Sequence, residues 1–111
     1  MYQPGDVVFC KFPYEENPKL FVDRPGLILS LLADGRYRIV KITKVNKSDK
    51  YPGLWIKMNS SEGRAMRLSY DSFINLSRIA VVPEFGIRRY LGHCPLMNEI
   101  KKICEKHHLD Y

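Results

Sequence analysis

The sequence has no apolar run long enough to cross a membrane. No stretch of its 111 residues approaches the roughly 20 apolar residues that a bilayer-spanning helix needs. The first residues also lack the basic region followed by an apolar run that marks a secretory signal peptide. We therefore expect a cytoplasmic protein without a membrane partner. The length fits one domain over residues 1–111.

Cysteine is scarce and odd in number, which argues against a disulfide framework. The three cysteines are Cys10, Cys94 and Cys104, and we interpret them as small core residues in a reducing compartment. A metal site would have to draw on residues near the end of the chain, namely His93, Cys94, Cys104, His107 and His108. Their spacing matches no zinc pattern, so we expect neither a metal nor another cofactor.

Acidic residues are outnumbered by basic ones. The sequence has 12 Asp plus Glu against 18 Lys plus Arg, a formal net charge of +6. This balance favours an anionic partner, either nucleic acid or an acidic protein segment. It does not distinguish between them, and mild basicity also serves solubility.

Short apolar runs separated by turn residues predict a mainly β fold. The predicted strands are Gly5–Phe12, Gly26–Leu32, Tyr37–Thr43, Leu54–Met58, Ser72–Leu76 and Arg78–Val82, with a further candidate at Arg64–Leu68 after a turn at Asn59–Gly63. Another turn and short strand are expected between Phe85 and Gly92, and an amphipathic helix from Pro95 onward. Five to seven short strands and one C-terminal helix suggest a small, strongly bent barrel.

Arg24 stands at the start of the most apolar strand. Pro25 pushes the residue before it into an extended conformation and fits the first position of a strand. Gly26 has no Cβ, which lets another backbone or a ligand come close. An Arg held at the entrance of a rigid strand can present a bidentate charge to a phosphate. An ordinary surface Arg in a turn is the competing interpretation.

A predicted hairpin brings Thr43 to Arg24. The Asp34-Gly35 turn joins the strand after Arg24 to Tyr37–Thr43. The end of the second strand then lies beside the start of the first, although the two residues are 19 positions apart. Val40 and Ile42 share the core face of that strand, which leaves Thr43 on the outer face.

In this combination the residues resemble the MazF/PemK family of toxins from type II toxin–antitoxin systems. The resemblance covers most of the chain, in the right order: Gly5-Asp6-Val7-Val8, Arg24 to Ser30, Ile42-Thr43, Asp71 to Ile79, and Gly92 followed by a helix. It implies an SH3-like barrel, usually a homodimer. It also implies a metal-independent endoribonuclease that cleaves single-stranded RNA through attack by the 2′-hydroxyl.

The resemblance further implies partners and site residues. The partners are single-stranded RNA and a cognate antitoxin, whose disordered segment occupies the RNA groove and whose complex with the toxin binds promoter DNA. The family's catalytic Arg and Ser/Thr correspond to Arg24 and Thr43. These residue types agree with the chemistry, because an anionic phosphoryl-transfer transition state is stabilised by positioned charge and hydrogen bonds.

Further site residues follow from residue type alone. Asp71 is a candidate general base, against the alternatives of turn capping or a salt bridge. Lys44, Arg67, Lys11 and Lys19 are candidate RNA-binding residues, although lone lysines are usually only solvated. Lys41 and Lys47 belong to the same class. The aromatic residues Tyr14, Phe21 and Trp55 are candidates for base stacking, with Trp55 equally suited to the core or a dimer interface.

Two other functions compete with the nuclease. One is a non-catalytic toxin on the same barrel, such as a topoisomerase poison of the CcdB type that acts through its terminal helix. The other is an RNA-binding module without an antitoxin. The presence of Arg24 with Thr43 argues against both, because a pure binding protein does not need that pair. The fold alone cannot decide, because small barrels host many functions.

Overall fold

The computed structural model describes residues 1–13 and 19–111. It contains strands β1 (Asp6–Pro13), β2 (Phe21–Leu31), β3 (Tyr37–Thr43), β4 (Gly53–Ile56), β5 (Ser72–Val82) and β6 (Ile87–His93), together with helices α1 (Ser61–Ala65) and α2 (Met97–Lys106) and a 3₁₀ turn at Glu84–Gly86. Most of the polar loop predicted from Tyr14 lies outside the described residues. Its predicted end, Phe21 and Val22, belongs to β2.

The strands form one antiparallel sheet in the order β4-β5-β3-β2-β1-β6. The predicted mainly β fold with a C-terminal helix is therefore confirmed. Closure of the sheet into a barrel is not seen, because β4 and β6 remain edge strands in the part of the chain that the structure describes. Segments outside the strands bring the two edges together instead.

Apolar side chains are buried on both faces of the sheet. Leu27 and Leu29 belong to the larger core cluster, which α2 covers with Ile100 and Cys104. Ile28, between them in sequence, belongs to the second cluster on the opposite face. This alternation confirms that the apolar run after Arg24 is a strand buried on both sides.

Strand β2 begins earlier than the sequence predicts. Pro25 lies inside β2, opposite Phe9 of β1, and not at the first position of the strand. The pairing of β2 with β3 begins only at Gly26, one residue after the proline, where a missing N–H is tolerated. The space left by Gly26 is filled by the side chains of Ile39 and Phe12, so its role is core packing.

The region after β4 is helical, and the predicted strand at Arg64–Leu68 is wrong. The Ser60 side chain caps α1 by accepting a hydrogen bond of 3.0 Å from the Gly63 N–H. Glu62 in the first turn suits the positive end of the helix. The sequence Ser60-Ser61-Glu62 has the pattern of a helix start. The interpretation of Asn59–Gly63 as a polar turn does not take that pattern into account.

Strand β5 is continuous where the sequence predicts two strands. The polar residues at its centre suggested a break, but Ser77 lies within the strand and donates its N–H to Asn75 Oδ1 at 3.0 Å. The first half of β5 pairs with both β4 and β3, and the second half with β3 alone. A register shift between Val40 and Ile42 of β3 accommodates the irregularity.

Helix α2 agrees with the predicted amphipathic pattern. Ile100 and Cys104 are fully buried, and Leu96, Met97 and Ile103 pack around them. His107 is the C-cap of α2, which agrees with the predicted helix end there. Within the described part of the chain, no helix is long and apolar enough to cross a bilayer.

Gly92 allows β6 to touch the segment that follows α1. A Cβ at this position would lie 2.6 Å from the Ala65 carbonyl oxygen and 2.7 Å from the Met66 carbonyl carbon. Both are backbone atoms that cannot rotate away. This contact joins the β6 edge of the sheet to the segment between β4 and β5.

We expect Gly92→Ala to lower the free energy of unfolding by about 3 kcal/mol, because the added methyl group overlaps backbone. The measurement is the urea concentration at the midpoint of unfolding, with the dependence of the unfolding free energy on urea (the m-value) unchanged. Gly35→Ala is the control, since nothing lies within 4 Å of a Cβ there and only its φ of +88° is unfavourable. That variant should lose about 1 kcal/mol. Equal losses in both variants would contradict the packing role of Gly92.

The three cysteines are buried, as predicted. Burial, with the Asp23 charge as a smaller cause, raises the pKa of the Cys10 thiol to about 12. Burial also raises the pKa of Cys94 and Cys104. Because the thiolate is the reactive form, a raised pKa lowers reactivity.

We expect iodoacetamide at about pH 8 to leave Cys10 unmodified in the native protein and to alkylate it fully in urea. In the native protein the Cys10 side chain is buried from the reagent and its thiol is not ionised, whereas unfolding exposes it. Mass spectrometry of the intact and digested protein measures this. Rapid native alkylation of Cys10 would show that β1 opens readily.

Candidate functional site

The site lies where β2 and β3 separate. Pairing between the two strands ends at Gly26 with Lys41. Beyond that point β2 continues along β1, where Arg24 is opposite Cys10. Strand β3 continues along β5, where Thr43 is opposite Phe73. Arg24 and Thr43 therefore stand two residues beyond the last pair, on the two arms of a fork.

A cleft of about 600 Å³ opens at this fork. Arg24 and Thr43 both line it, so the structure brings the two together. The complete lining comprises Val22, Arg24, Lys41, Ile42, Thr43, Lys44, Val45, Lys47, Tyr70, Asn75 and Arg78. Five of these described residues are cationic and none is a carboxylate. Such a lining attracts an anion and provides nothing that repels it.

The Arg24 guanidinium is exposed and uncommitted. Within the described residues no hydrogen bond or ion pair engages it. The neighbouring carboxylate of Asp23 points to the opposite face of β2, where Arg88 Nε lies 3.3 Å from its Oδ1. The charge of Arg24 is thus left for a ligand in the cleft.

The Thr43 hydroxyl is only weakly engaged. Its Oγ1 lies 3.5 Å from the Phe73 carbonyl oxygen, at the outer limit for a hydrogen bond. Rotation about the Cβ–Oγ1 bond would redirect the proton to a closer acceptor at small cost. Thr43 is half-buried and lines the cleft.

Two of the cleft lysines make cation–π contacts with aromatic rings. Lys44 Nζ lies 4.8 Å from the centroid of the Tyr70 ring, and Lys41 Nζ lies 5.8 Å from that of Phe12. Cation–π attraction of this kind restrains a flexible side chain without neutralising its charge. Lys44 is therefore an RNA-binding candidate that the structure places in the cleft.

The other candidates lie elsewhere. Lys11 is on β1 with its Nζ 4.7 Å from the Phe21 ring, and neither it nor Lys19 lines the cleft. Arg67 lines a separate cavity. Trp55 is half-buried on β4 opposite Phe73. Tyr14 lies outside the described residues.

Sequence reasoning missed three residues of the cleft. Tyr70, Asn75 and Arg78 all line it, and all depend on the pairing of β5 with β3. Asn75 is 8% exposed and its Oδ1 accepts the Ser77 N–H. The clue available in the sequence was the polar Asn75-Leu76-Ser77-Arg78 stretch inside an apolar region.

Asp71 faces away from this cleft and makes structural contacts. Its Oδ1 accepts the Met58 N–H at 2.8 Å, and its Oδ2 lies 3.5 Å from Lys57 Nζ. Asp71 lines neither the cleft nor the cavity beside it. Its surroundings correspond to the capping and salt-bridge alternatives.

A smaller cavity of about 130 Å³ adjoins the cleft. Ile42 and Tyr70 line both, so they form the wall between them. The remaining lining of the cavity is Val7, Phe9, Pro25, Met66, Arg67, Leu68, Ser69, Ser72, Arg89 and Leu91. Among the described residues no group of three or more His, Cys, Asp or Glu side chains is placed to hold a metal ion.

Two solved structures share the fold. An endoribonuclease in complex with its cognate antitoxin from a mycobacterial species aligns with a TM-score of 0.68, over 100% of this chain and 99% of its own, at 21% identity. This chain shares the fold of that protein. A second mycobacterial endoribonuclease aligns with a TM-score of 0.64 over 99% of this chain and 94% of its own, at 20% identity. No protein-family model and no curated protein sequence matches the chain.

We expect Asp71→Ala to lower the free energy of unfolding by about 1 kcal/mol, because the Met58 N–H loses its acceptor. Asp71→Asn keeps an oxygen at that place and should lose less. Urea unfolding measures both. RNA cleavage per folded molecule should remain near wild type in both variants. A loss of cleavage by a hundredfold or more in the stable Asn variant, about the scale of a general base, would restore Asp71 as a catalytic residue.

Proposed function

We propose that this protein is the toxin of a type II toxin–antitoxin system, an endoribonuclease that cleaves single-stranded RNA in the cytoplasm. The observation that carries the proposal is the cleft in which Arg24 and Thr43 lie with four further cations and no carboxylate among the described residues. The shared fold with two endoribonucleases supports it.

The proposed reaction is an intramolecular phosphoryl transfer. The ribose 2′-oxygen loses its proton and attacks the adjacent phosphorus, and the bond to the 5′-oxygen breaks as that oxygen gains a proton. The products are a 2′,3′-cyclic phosphate and a 5′-hydroxyl. Charge accumulates on the non-bridging oxygens, where Arg24 donates two parallel N–H bonds.

Thr43 supplies a further hydrogen bond to the same phosphate. Its weak contact with the Phe73 carbonyl is exchanged for a shorter one to a charged oxygen, which is the stronger acceptor. Because Arg24 and Thr43 stand on different arms of the fork, they approach the phosphate from two sides. Such positioning orients the phosphorus for in-line attack.

Metal independence is part of the proposal. A metal ion in a nuclease supplies positive charge to the phosphate oxygens, and here Arg24, Lys41 and Arg78 supply it from the protein. Lys44 and Lys47 at the outer part of the cleft neutralise flanking phosphates.

The proposed protein partners are a cognate antitoxin and a second copy of the chain. One structural neighbour is in complex with its cognate antitoxin. Because no described residue of the cleft is a carboxylate, the cleft suits an acidic antitoxin segment as well as RNA, and such a segment would inhibit by occupying it. We also propose that the protein forms a homodimer. Its complex with the antitoxin is proposed to bind promoter DNA.

We expect Arg24→Ala to lower the rate of RNA cleavage at least a hundredfold, as removal of one transition-state donor does. Arg24→Lys should be nearly as impaired, because Lys cannot donate two parallel bonds. Thr43→Val should lose about tenfold or more. A long single-stranded RNA in EDTA, with mapping of the cut ends, measures cleavage. Circular dichroism confirms that each variant is folded.

Discrete cuts by the wild type in EDTA, ending in cyclic phosphates and absent from Arg24→Ala, would establish the activity. Exposed Lys101→Ala on α2 is the control and should cleave normally. Equal cleavage by Arg24→Ala would remove Arg24 from the site. No cleavage by any folded form would favour a non-catalytic binding toxin, and α2 would then be the surface to mutate.

A further inference from the structure

Asn75 is the only amide side chain among the described residues that line the cleft, and the proposed reaction gives it no role. It is 8% exposed, so more than nine-tenths of the residue is buried. Buried polar groups are normally satisfied by hydrogen bonds, and an amide has an acceptor at its oxygen and two donors at its nitrogen. The partners of these two ends therefore indicate the role of the side chain.

The oxygen end of the amide is fixed by Ser77. The Ser77 N–H donates to Asn75 Oδ1 at 3.0 Å, and the Ser77 hydroxyl donates to the same oxygen at 2.5 Å. Because a backbone N–H can only donate, the amide atom that faces it is the oxygen, and the amide cannot be turned over. The nitrogen, Nδ2, is thereby held at the opposite end.

The nitrogen end has no acceptor among the described residues. The side-chain hydrogen bonds of Asn75 all go to Oδ1. Nδ2 is not sealed in the core either, because in the described part of the chain the buried side-chain polar atom without a partner is Ser30 Oγ. With its oxygen turned to Ser77, Asn75 presents the two N–H donors of Nδ2 to the cleft that it lines.

A bulge in β5 places Asn75 at the cleft. The pairing of β5 with β3 stops at Ile74 and resumes at Ile79, whereas β3 advances by only two residues over the same span. Asn75 is the first residue of the bulge and Arg78 is the last, and both line the cleft. Bulges are over-represented beside active sites, where they redirect a side chain.

The other side of this bulge is fixed by β4. Asn75 is opposite Gly53, and the Leu76 N–H donates to the Pro52 carbonyl oxygen at 3.0 Å. A Cβ at Gly53 would overlap the Ile74 carbonyl oxygen, so the two strands are in close backbone contact here. The amide is therefore carried on backbone that has little freedom to move.

Asn75 is the diagonal neighbour of Thr43 across two strands. Thr43 is opposite Phe73, and Asn75 lies two residues further along β5, on the same face of the sheet. The Cα atoms of such neighbours are about 7–8 Å apart. One phosphate can bridge the two side chains, because each donor stands about 2.9 Å from the oxygen that it contacts.

A fixed amide adds what the cations of the cleft lack. Lys41, Lys44 and Lys47 attract an anion, but an ammonium on a flexible stem fixes its orientation poorly. The Asn75 amide is held through its backbone and through its oxygen, so its N–H groups donate in a set direction. Donors that are already in place stabilise the charge that develops on phosphate oxygens in the transition state.

We propose that Asn75 Nδ2 donates a hydrogen bond to a non-bridging oxygen of the scissile phosphate and that Ser77 positions the amide for this contact. The proposal rests on the proposed function, since it takes the phosphate to lie between Arg24 and Thr43. The phosphate is then held from three strands, by Arg24 on β2, Thr43 on β3 and Asn75 on β5. The competing interpretation is a structural Asn75 that only shapes the bulge through Ser77.

Asn75→Asp removes the donor and keeps the shape of the side chain. One carboxylate oxygen still accepts from Ser77, while the other replaces Nδ2 and repels a phosphate. We expect cleavage of single-stranded RNA in EDTA to fall at least about a hundredfold, on the scale of one lost transition-state donor. Circular dichroism and urea unfolding check the fold. Cleavage by the folded variant within about threefold of wild type, far from that scale, would overturn the proposal.

Asn46→Asp is the matched control. Asn46 Oδ1 also accepts the N–H of the residue two positions on, Ser48, at 3.0 Å, but Asn46 is exposed and does not line the cleft. The same charge is added to the same kind of turn, and cleavage should stay within about threefold of wild type because an exposed charge is screened. Equal losses in the two variants would assign the effect to charge alone and overturn the proposal.

Phosphorothioate substrates identify the atom that Asn75 contacts. An RNA spanning a mapped cut is prepared with sulfur in place of either non-bridging oxygen of the scissile phosphate, as separate diastereomers. We expect sulfur in one diastereomer to slow the wild type about tenfold and Asn75→Ala only about twofold, each relative to its own rate on the oxygen substrate. A structural role slows all three substrates alike. Equal sulfur effects in both proteins, for both diastereomers, would overturn the proposal.

A measurement on the wild type needs neither a folded variant nor cleavage. The ¹H–¹⁵N signals of the Asn75 side-chain amide should shift when a 2′-O-methyl RNA, which has no free 2′-hydroxyl to attack, is bound. Those of exposed Asn98 on α2 should not.

The outcomes separate the two proposals. RNA binding without a shift at Asn75, with cleavage that depends on Arg24, would overturn the role of Asn75 and leave the nuclease standing. Binding with the shift but no cleavage of any RNA would overturn the nuclease and keep Asn75 as an RNA contact. Absence of both binding and cleavage would overturn both proposals.

Discussion

The separation of β2 from β3 is the constraint on which the site depends. Each strand keeps a partner after they part, β2 with β1 and β3 with β5. The fork is thus held open by strand pairing on both outer sides rather than by a loop. Paired arms of this kind keep Arg24 and Thr43 at a fixed spacing, so a ligand in the cleft would have little order to impose on them.

Side chains alternate between the two faces of these strands, so neighbouring residues line different hollows. Arg24 and Thr43 point to the cleft, and their neighbours Pro25 and Ile42 contribute to the adjoining cavity. A slip of β2 by one residue would exchange the two sets. The deep burial of Leu27, Ile28 and Leu29 on both faces prevents such a slip. The register that stabilises the core is therefore also the register that places Arg24 and Thr43 in the cleft.

The parts of the site that follow from local rules could be predicted. The Asp34-Gly35 turn, with Gly35 at a φ of +88° and Leu32 N–H bonded to the Arg36 carbonyl, aligns the hairpin that brings Arg24 to Thr43. Tyr70 and Arg78 could not be placed in the same way, because their position depends on the pairing of β5 with β3 across some 30 residues, which no short-range pattern encodes. The left-handed conformation of Arg67 was equally hidden, since glycine is the usual sign of that geometry and none stands there.

The close approach of Met66 to Gly92 links the β6 edge of the sheet to the cavity beside the cleft. Arg67 follows Met66 directly, and β6 leads through Cys94, whose N–H donates to the Gly5 carbonyl at 2.7 Å, into α2. Arg67, which lines the cavity, is thus tied to β6 through close backbone contact. The shape of that cavity therefore depends on the β6 edge of the sheet, whereas the cleft at Arg24 and Thr43 depends on β2, β3 and β5. The two hollows are adjacent, yet they are shaped by different parts of the chain.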